Sequence, residues 1–144
     1  MTRTCKGFTL IEILVVVLII SILVGVVGVA VLRHPAEAKV AAAKLQIKTF
    51  KSALHLYRME QNRFPAQKQG LEALCVKPSD PPVPEVYPEG GYLDSRNLPQ
   101  DPWRNAYIYL MPGRDNAPYE IISYGSDGEL DGTGDAADIS SSDL

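Results

Sequence analysis

The sequence predicts an α+β fold in which one long N-terminal helix packs on a small antiparallel sheet. Three patterns predict this fold. A largely apolar run fills residues 8–32, apolar residues then recur at spacings of three and four as far as residue 57, and two strand-like segments flank a turn around residue 115. The first two patterns are typical of helices and the third is typical of a β-hairpin. Because the chain has 144 residues, the part that follows the apolar run suffices for one small domain.

The apolar run, from Phe8 to Leu32, is long enough to cross a bilayer, which needs ~20 such residues. Glu12 is its only ionisable side chain. A carboxylate inside a membrane is costly and is a functional hypothesis by default. The competing interpretation is that Glu12 lies close enough to one end of the run to reach the lipid headgroups. An ordinary secretory signal fits poorly, because its apolar region would be shorter and would end at a small-residue cleavage site.

The second half of the long helix, residues 33–60, is amphipathic. Its apolar positions mark one helical face, which we expect to pack on the sheet. Pro35 either kinks the junction with the apolar run or lies in a bend through which the helix continues. Leu45, Leu56 and Met59 fall off the main face, either as peripheral core residues or as contacts for neighbouring subunits. The main face consists of Val40, Ala43, Ile47, Phe50, Leu54 and Tyr57.

The remaining elements follow in order along the chain. Residues 62–65 (NRFP) end the helix, and residues 70–76 suit a second, short helix. Five prolines between residues 78 and 88 exclude a strand there, because each proline removes a hydrogen-bond donor from the ladder. Residues 107–111 and 119–124 are predicted strands, and the turn-forming residues between them predict a hairpin.

Nothing in the sequence predicts an enzyme or a nucleic-acid-binding protein. The two histidines, His34 and His55, have no nucleophile or metal partner by spacing, and neither a glycine-rich phosphate loop nor a CxxC pair occurs. The net charge is −3, without a basic stripe that alternates with aromatic residues. Cys75 is expected to be a small buried apolar residue, and Trp103 is expected to anchor the LPQDPW loop on the sheet by packing.

The N-terminus carries a processing motif. A short basic segment, residues 1–7, ends in Lys-Gly and is followed by the string FTLIE. This arrangement resembles the type IV prepilin signal. The resemblance implies that a prepilin peptidase cuts between Gly7 and Phe8 and methylates the new amine of Phe8. It also implies that Glu12 pairs with this amine in a neighbouring subunit during filament growth.

Three further segments narrow the resemblance to one family. They are NRFP with QGLEAL within residues 62–74, YPEGGY with LPQDPWRNAY within residues 87–107, and SYGSDG closing with ADI within residues 123–139. In this order they resemble the major pseudopilins of type II secretion systems, over nearly the whole chain. The resemblance implies a type IV pilin-like fold. It also implies a structural subunit that polymerises into a periplasmic pseudopilus and drives export of folded proteins across the outer membrane.

The same resemblance implies an organisation in four parts: a leader peptide at residues 1–7, a membrane-spanning and filament-core half-helix at 8–32, an amphipathic half-helix at 33–60 and a globular domain at 61–144. It implies a single-pass inner-membrane protein with its C-terminal domain in the periplasm, although the flanking positive charges alone would place that side in the cytoplasm. The implied partners are other copies of the chain, minor pseudopilins, the prepilin peptidase, an inner-membrane assembly platform, an outer-membrane secretin and membrane lipid.

An acidic loop, residues 124–139, suggests a metal site. Its glycines let the backbone fold tightly, and its carboxylates and carbonyls are the oxygen ligands of which calcium takes about six to eight. Composition alone favours a solvated acidic tail, and the spacing does not match an EF-hand. The family resemblance implies a calcium (Ca2+) cofactor held by Asp127, Asp138 and the backbone carbonyl of Tyr124, with Asp135 as a further ligand if the loop bulges.

Two other functions fit parts of these patterns. One is a type IV pilin or competence pseudopilus subunit, for adhesion or DNA uptake, which needs no calcium at Asp127. The other is a single-pass anchored calcium-binding domain that never polymerises. Its N-terminus would be intact, or cut at a bond other than the one after Gly7.

Overall fold

The computed structural model describes residues 9–144, apart from the side chains of residues 24–35 and 135. The chain divides into two compact units, residues 1–37 and residues 38–144. One long helix and an antiparallel sheet confirm the predicted α+β class. The elements in chain order are helix α1 (Leu10–Gln61), a 3-10 helix (Leu71–Leu74), strand β1 (Ile108–Leu110), a 3-10 helix (Arg114–Asn116), strand β2 (Glu120–Ser123), a 3-10 helix (Gly134–Ala136), strand β3 (Ile139–Ser140) and a last 3-10 helix (Ser141–Asp143).

In the first unit, the described residues form the start of α1. Thr9 accepts two hydrogen bonds from the backbone N–H of Glu12, at 3.1 Å to its carbonyl oxygen and at 3.4 Å to its hydroxyl oxygen. A threonine in this position satisfies an N–H group that the first helical turn leaves free. Among the residues that the structure fully describes, no helical stretch combines the length and the apolarity that crossing a membrane requires. The predicted span, residues 8–32, lies partly outside those residues and stays a prediction.

The core of the second unit is built on the amphipathic half of α1. Five of the six predicted face positions are fully buried, and Val40 packs at the margin of the same cluster. The cluster also contains side chains from the sheet, among them Tyr109 and Ile121. The rings of Phe50 and Tyr107 meet edge to face with their centroids 5.0 Å apart. The predicted packing of this helix face is confirmed.

The other side of α1 carries a second row of apolar residues. Leu45, Leu56 and Met59 are 67%, 46% and 78% exposed. The interpretation that they belong to a peripheral core is therefore wrong. Leu56 and Met59 follow Leu45 by about three and about four helical turns, so the three side chains project from one side of the helix. We call this row the outer stripe.

The sheet is antiparallel, in the order β1-β2-β3. β1 and β2 pair with Tyr109 opposite Ile121, which confirms the predicted hairpin. Its turn places Asp115 and Asn116 at positive φ, a conformation that these two residue types tolerate. β3 pairs with β2 and places Ile139 opposite Ser123. The sequence did not predict β3, because two residues are too few to show an alternating pattern.

The loops follow the sequence-based expectations closely. α1 ends at Gln61, and Asn62 follows it with a φ of 58°. The short helix is confirmed as a 3-10 turn, and residues 78–88 contain no strand. Cys75 is buried directly after that turn, and burial raises the pKa of its thiol. Trp103 is partly buried against the core, which confirms its predicted packing role.

Candidate metal site in the acidic loop

The sheet brings the two ends of the acidic loop together. The loop leaves β2 after Ser123 and returns into β3 at Ile139, and these two residues are paired across the ladder. Tyr124 and Asp138 are the next residues outward on the two strands. Two of the predicted ligands, fourteen residues apart in the sequence, therefore start from adjacent points of the fold.

The first part of the loop is a tight turn that contains Asp127. The backbone N–H of Gly128 donates to the carbonyl oxygen of Tyr124 at 3.2 Å. Because a carbonyl oxygen has two lone pairs, that of Tyr124 retains one for another partner. Asp127 is exposed, and its Oδ1 accepts a hydrogen bond of 3.2 Å from the backbone N–H of Glu129.

Asp138 lies at the other end of the loop, and its two carboxylate oxygens differ in their hydrogen bonding. Its Oδ2 accepts a hydrogen bond of 3.1 Å from the backbone N–H of Asp131. Its Oδ1 is buried and has no hydrogen-bond partner among the described residues. A buried carboxylate oxygen without a partner carries an uncompensated desolvation cost. A cation at this oxygen would remove that cost.

Two glycines allow the far part of the loop to fold back. A Cβ at Gly132 would lie within 3.0 Å of both Asp127 Oδ2 and the carbonyl oxygen of Ala136, so both oxygens lie close to Gly132. Gly125 has a φ of +62°, and a Cβ there would lie 2.7 Å from the same Ala136 oxygen. The loop therefore closes on itself, with an oxygen of Asp127 beside main-chain carbonyls. Sequence reasoning missed the Ala136 carbonyl, because no local pattern reveals where a carbonyl points.

The predicted ligands are brought together only in part. Tyr124, Asp127 and Asp138 all border the closed loop, whereas the side chain of Asp135 lies outside the described residues. Among the described side chains, no group of three or more histidines, cysteines, aspartates or glutamates is close enough to hold a metal ion. A calcium ion here would depend on main-chain oxygens as well as on carboxylates, which is common for this cation.

A buried glutamate on β2 was not identified from the sequence. Glu120 is 1% exposed and accepts hydrogen bonds from Arg114 Nη2 at 2.6 Å, Arg114 Nε at 2.9 Å and Ser140 Oγ at 2.6 Å. The hydrogen bonds from the Arg114 side chain are the main cause that lowers the pKa of Glu120 to about 2. These contacts join β2 to β3 next to Asp138, whose negative charge also helps to raise the pKa of Arg114. The available signal was a glutamate next to two isoleucines in a predicted strand, six residues after an arginine.

The predicted processing and assembly residues lie in the first unit. Glu12 is exposed in the first turn of α1. Gly7 and Phe8 lie outside the described residues, so the cleavage site and the pairing of Glu12 with the Phe8 amine stay predictions.

The sequence matches two family models. Residues 2–28 match the prokaryotic N-terminal methylation motif, and residues 30–142 match the model of type II secretion system protein G. The second match extends far beyond the N-terminal segment and covers the loops and the sheet.

Similar proteins and one solved structure agree with these matches. The type II secretion system core protein G of Pseudomonas aeruginosa is 44% identical over 137 residues, which cover 95% of this chain and 94% of that protein. The protein of the same description from Vibrio cholerae is 41% identical, over 95% of this chain and 91% of that protein. The crystal structure of the major pseudopilin from the type 2 secretion system of enterohaemorrhagic Escherichia coli matches with a TM-score of 0.65 and 37% identity, over 77% of this chain and 92% of that chain.

Proposed function

The chain belongs to the protein G family of type II secretion systems. From this premise we propose how the subunit is processed, how it assembles into a filament and how calcium stabilises its acidic loop. It is a structural pseudopilus subunit in type II secretion. The observation that carries this conclusion is the 44% identity over 95% of the chain. Because the match to protein G covers residues 30–142, the family favours a secretion pseudopilin over a surface or competence pilin and over an anchored domain that never polymerises.

We propose that the leader is removed after Gly7, that the Phe8 amine is methylated, and that Glu12 selects each incoming subunit by pairing with that amine. The match to the N-terminal methylation motif at residues 2–28 supports this assignment. Burying a carboxylate in an apolar helix bundle without a partner is strongly unfavourable. Pairing with a neighbouring amine would remove this penalty and favour the correct register.

Replacing Glu12 with alanine tests this proposal. We expect the variant to insert into the membrane and to be cleaved, but to yield few filaments. The matched control is Glu37→Ala, which removes an exposed glutamate elsewhere on α1. Mass spectrometry of the N-terminus and the yield of sheared filaments provide the two readouts. A normal filament yield from Glu12→Ala would exclude the pairing.

The remaining family inferences are also proposals. Subunits wait in the inner membrane with the C-terminal domain in the periplasm. They then polymerise into a periplasmic filament. The other partners are minor pseudopilins, the prepilin peptidase, an assembly platform, a secretin and membrane lipid. The outer stripe supports lateral contacts between subunits, because three large apolar side chains on one helix side are exposed in the single chain.

We propose that the acidic loop binds one calcium ion through Asp127, Asp138, the carbonyl of Tyr124 and Asp135. Three observations support it: Asp138 Oδ1 is buried without a hydrogen-bond partner among the described residues, Asp127 Oδ2 and the Ala136 carbonyl oxygen both lie close to Gly132, and the ligand types are the oxygens that calcium prefers. When bound, the ion would crosslink the loop and offset the repulsion between its carboxylates. The alternative is a solvated acidic loop.

A thermal melt of the full chain in detergent micelles tests the calcium proposal. Trp103, the single tryptophan, reports unfolding in calcium, in magnesium and in chelator. A ligand that binds only the folded state stabilises it by ~2.7 kcal/mol at a hundredfold excess over its Kd. We expect a calcium-specific rise that Asp127→Asn loses and that Glu129→Gln, a control acid in the same loop, retains. Equal melting temperatures in all three conditions would indicate that the acidic loop is solvated and binds no calcium.

A further inference from the structure

Asn105 contacts the acidic loop from outside it. Its Nδ2 donates a hydrogen bond of 2.9 Å to the carbonyl oxygen of Gly125. Its amide group also lies against Gly128, where a Cβ would be 3.3 Å from Asn105 Oδ1. A single side chain therefore touches both ends of the turn that contains Asp127.

Hydrogen bonds hold the main chain of Asn105 in place. Asp101, which is 4% exposed, accepts hydrogen bonds through Oδ1 from the backbone N–H of Trp103 at 3.0 Å and of Asn105 at 2.7 Å. The carbonyl oxygen of Asn105 accepts from the backbone N–H of Asp101 at 2.9 Å. The other oxygen, Asp101 Oδ2, accepts from Ser123 Oγ at 2.6 Å. The turn at residues 101–105 is therefore attached to the last residue of β2, directly before the acidic loop.

The position of this turn determines what Asn105 can do for the ligands. The carbonyl of Tyr124 and the side chain of Asp127 belong to the segment that Asn105 holds through its hydrogen bond to Gly125. The loop carries carboxylates and no basic side chain, and like charges repel one another when they are brought together. Without this anchor, the segment would become ordered only when calcium binds, and the entropy lost in ordering it would weaken the affinity for calcium.

We infer that Asn105 is a positioning residue for the calcium site, an inference that rests on the calcium proposal above. Through Gly125 it holds the turn in the form that aims the Tyr124 carbonyl and Asp127 at the ion. Losing the one hydrogen bond that keeps the turn ordered before binding is expected to weaken calcium binding by about fivefold. The loss is expected in the calcium affinity and not only in the stability of the fold.

Two substitutions separate the hydrogen bond from packing. Asn105→Leu keeps the approximate volume against Gly128 but cannot donate, and Asn105→Ala removes both. Asn97→Ala is the matched control, because Asn97 is exposed in a neighbouring loop. All three are compared with the unchanged full chain in detergent micelles. The readouts are the calcium Kd by titration calorimetry, the Tm in calcium and in chelator, and the near-ultraviolet circular dichroism of Trp103 as a test of folding.

We expect both Asn105 variants to keep the Trp103 signal in chelator, to bind calcium about fivefold more weakly and to show a smaller calcium-dependent rise in Tm. Asn97→Ala should behave as the unchanged chain. A purely structural role would lower Tm equally in calcium and in chelator and leave the Kd unaltered. That result for Asn105→Leu would overturn the positioning role of Asn105 and leave the calcium proposal standing. If the unchanged chain shows no calcium response, the calcium proposal fails and this inference fails with it.

Discussion

Replacing Glu120 with glutamine tests the buried charge that joins β2 to β3. The pKa of Glu120 falls from 4.5 to about 2, mainly because the Arg114 side chain donates to its carboxylate. Each pKa unit corresponds to ~1.4 kcal/mol, so the ionised glutamate contributes about 3 kcal/mol to the free energy of unfolding. Arg114 is 49% exposed, and solvent screening reduces this contribution to about 2 kcal/mol.

The sign of the pH dependence follows from the lowered pKa. Above the unfolded-state pKa of 4.5, Glu120 is ionised in both states and its full contribution is present. As the pH falls toward 2, the unfolded chain takes up a proton first, so the contribution is lost progressively. Glutamine does not titrate, so this part of the pH dependence disappears in the variant.

Urea unfolding of the full chain in detergent micelles, followed by Trp103 fluorescence from pH 7 to pH 2, measures this effect. We expect Glu120→Gln to be about 2 kcal/mol less stable than the unchanged chain at pH 7 and to differ little near pH 2. Glu89→Gln, at an exposed position, should follow the unchanged chain throughout. The reasoning is refuted if Glu120→Gln and Glu89→Gln give the same stability at pH 7, or if the difference does not shrink in acid.

Two further substitutions test the loop closure and the core. Gly125→Ala introduces a side chain at a φ of +62° and within 2.7 Å of the Ala136 carbonyl oxygen, so we expect the free energy of unfolding to fall by at least about 1 kcal/mol. The control Gly90→Ala, which has open space around it, should cost less. Equal melting temperatures of the two variants would contradict the close contact at Gly125. Leu54→Ala removes a fully buried side chain and should cost about 2–5 kcal/mol in urea unfolding. Leu45→Ala removes an exposed one and should leave stability nearly unchanged, and equal losses in the two variants would contradict the assigned helix face.

Local patterns explain which parts of the fold were predictable. The core face of α1 repeats with the helical period, so the sequence reveals Ile47, Phe50 and Leu54 without any knowledge of their partners. The hairpin of β1 and β2 is similarly local, because its turn residues lie between its strands. β3 has only two residues, and its pairing with β2 depends on contacts across the whole acidic loop.

The candidate site shows the same division. Carboxylates, glycines and a family resemblance predicted the acidic loop and its four candidate ligands from the sequence, and the ligand set stays a prediction. The unpartnered Asp138 Oδ1, the Ala136 carbonyl beside Asp127 and the contact of Asn105 with Gly125 depend on distant segments. A residue's type is visible in the sequence, whereas the direction of a carbonyl or the burial of one oxygen is not.

By itself, the sequence determined the long helix and its buried face, the hairpin, the family and the acidic loop, because periodicity, turn chemistry and motif order are properties of neighbouring residues. Only the tertiary structure decided that the outer stripe is exposed, that Glu120 is buried between Arg114 and Ser140, and that Asp101 and Asn105 support the loop. These features arise where segments far apart in the chain meet, and the balance of desolvation and hydrogen bonding at such contacts is set by the folded arrangement.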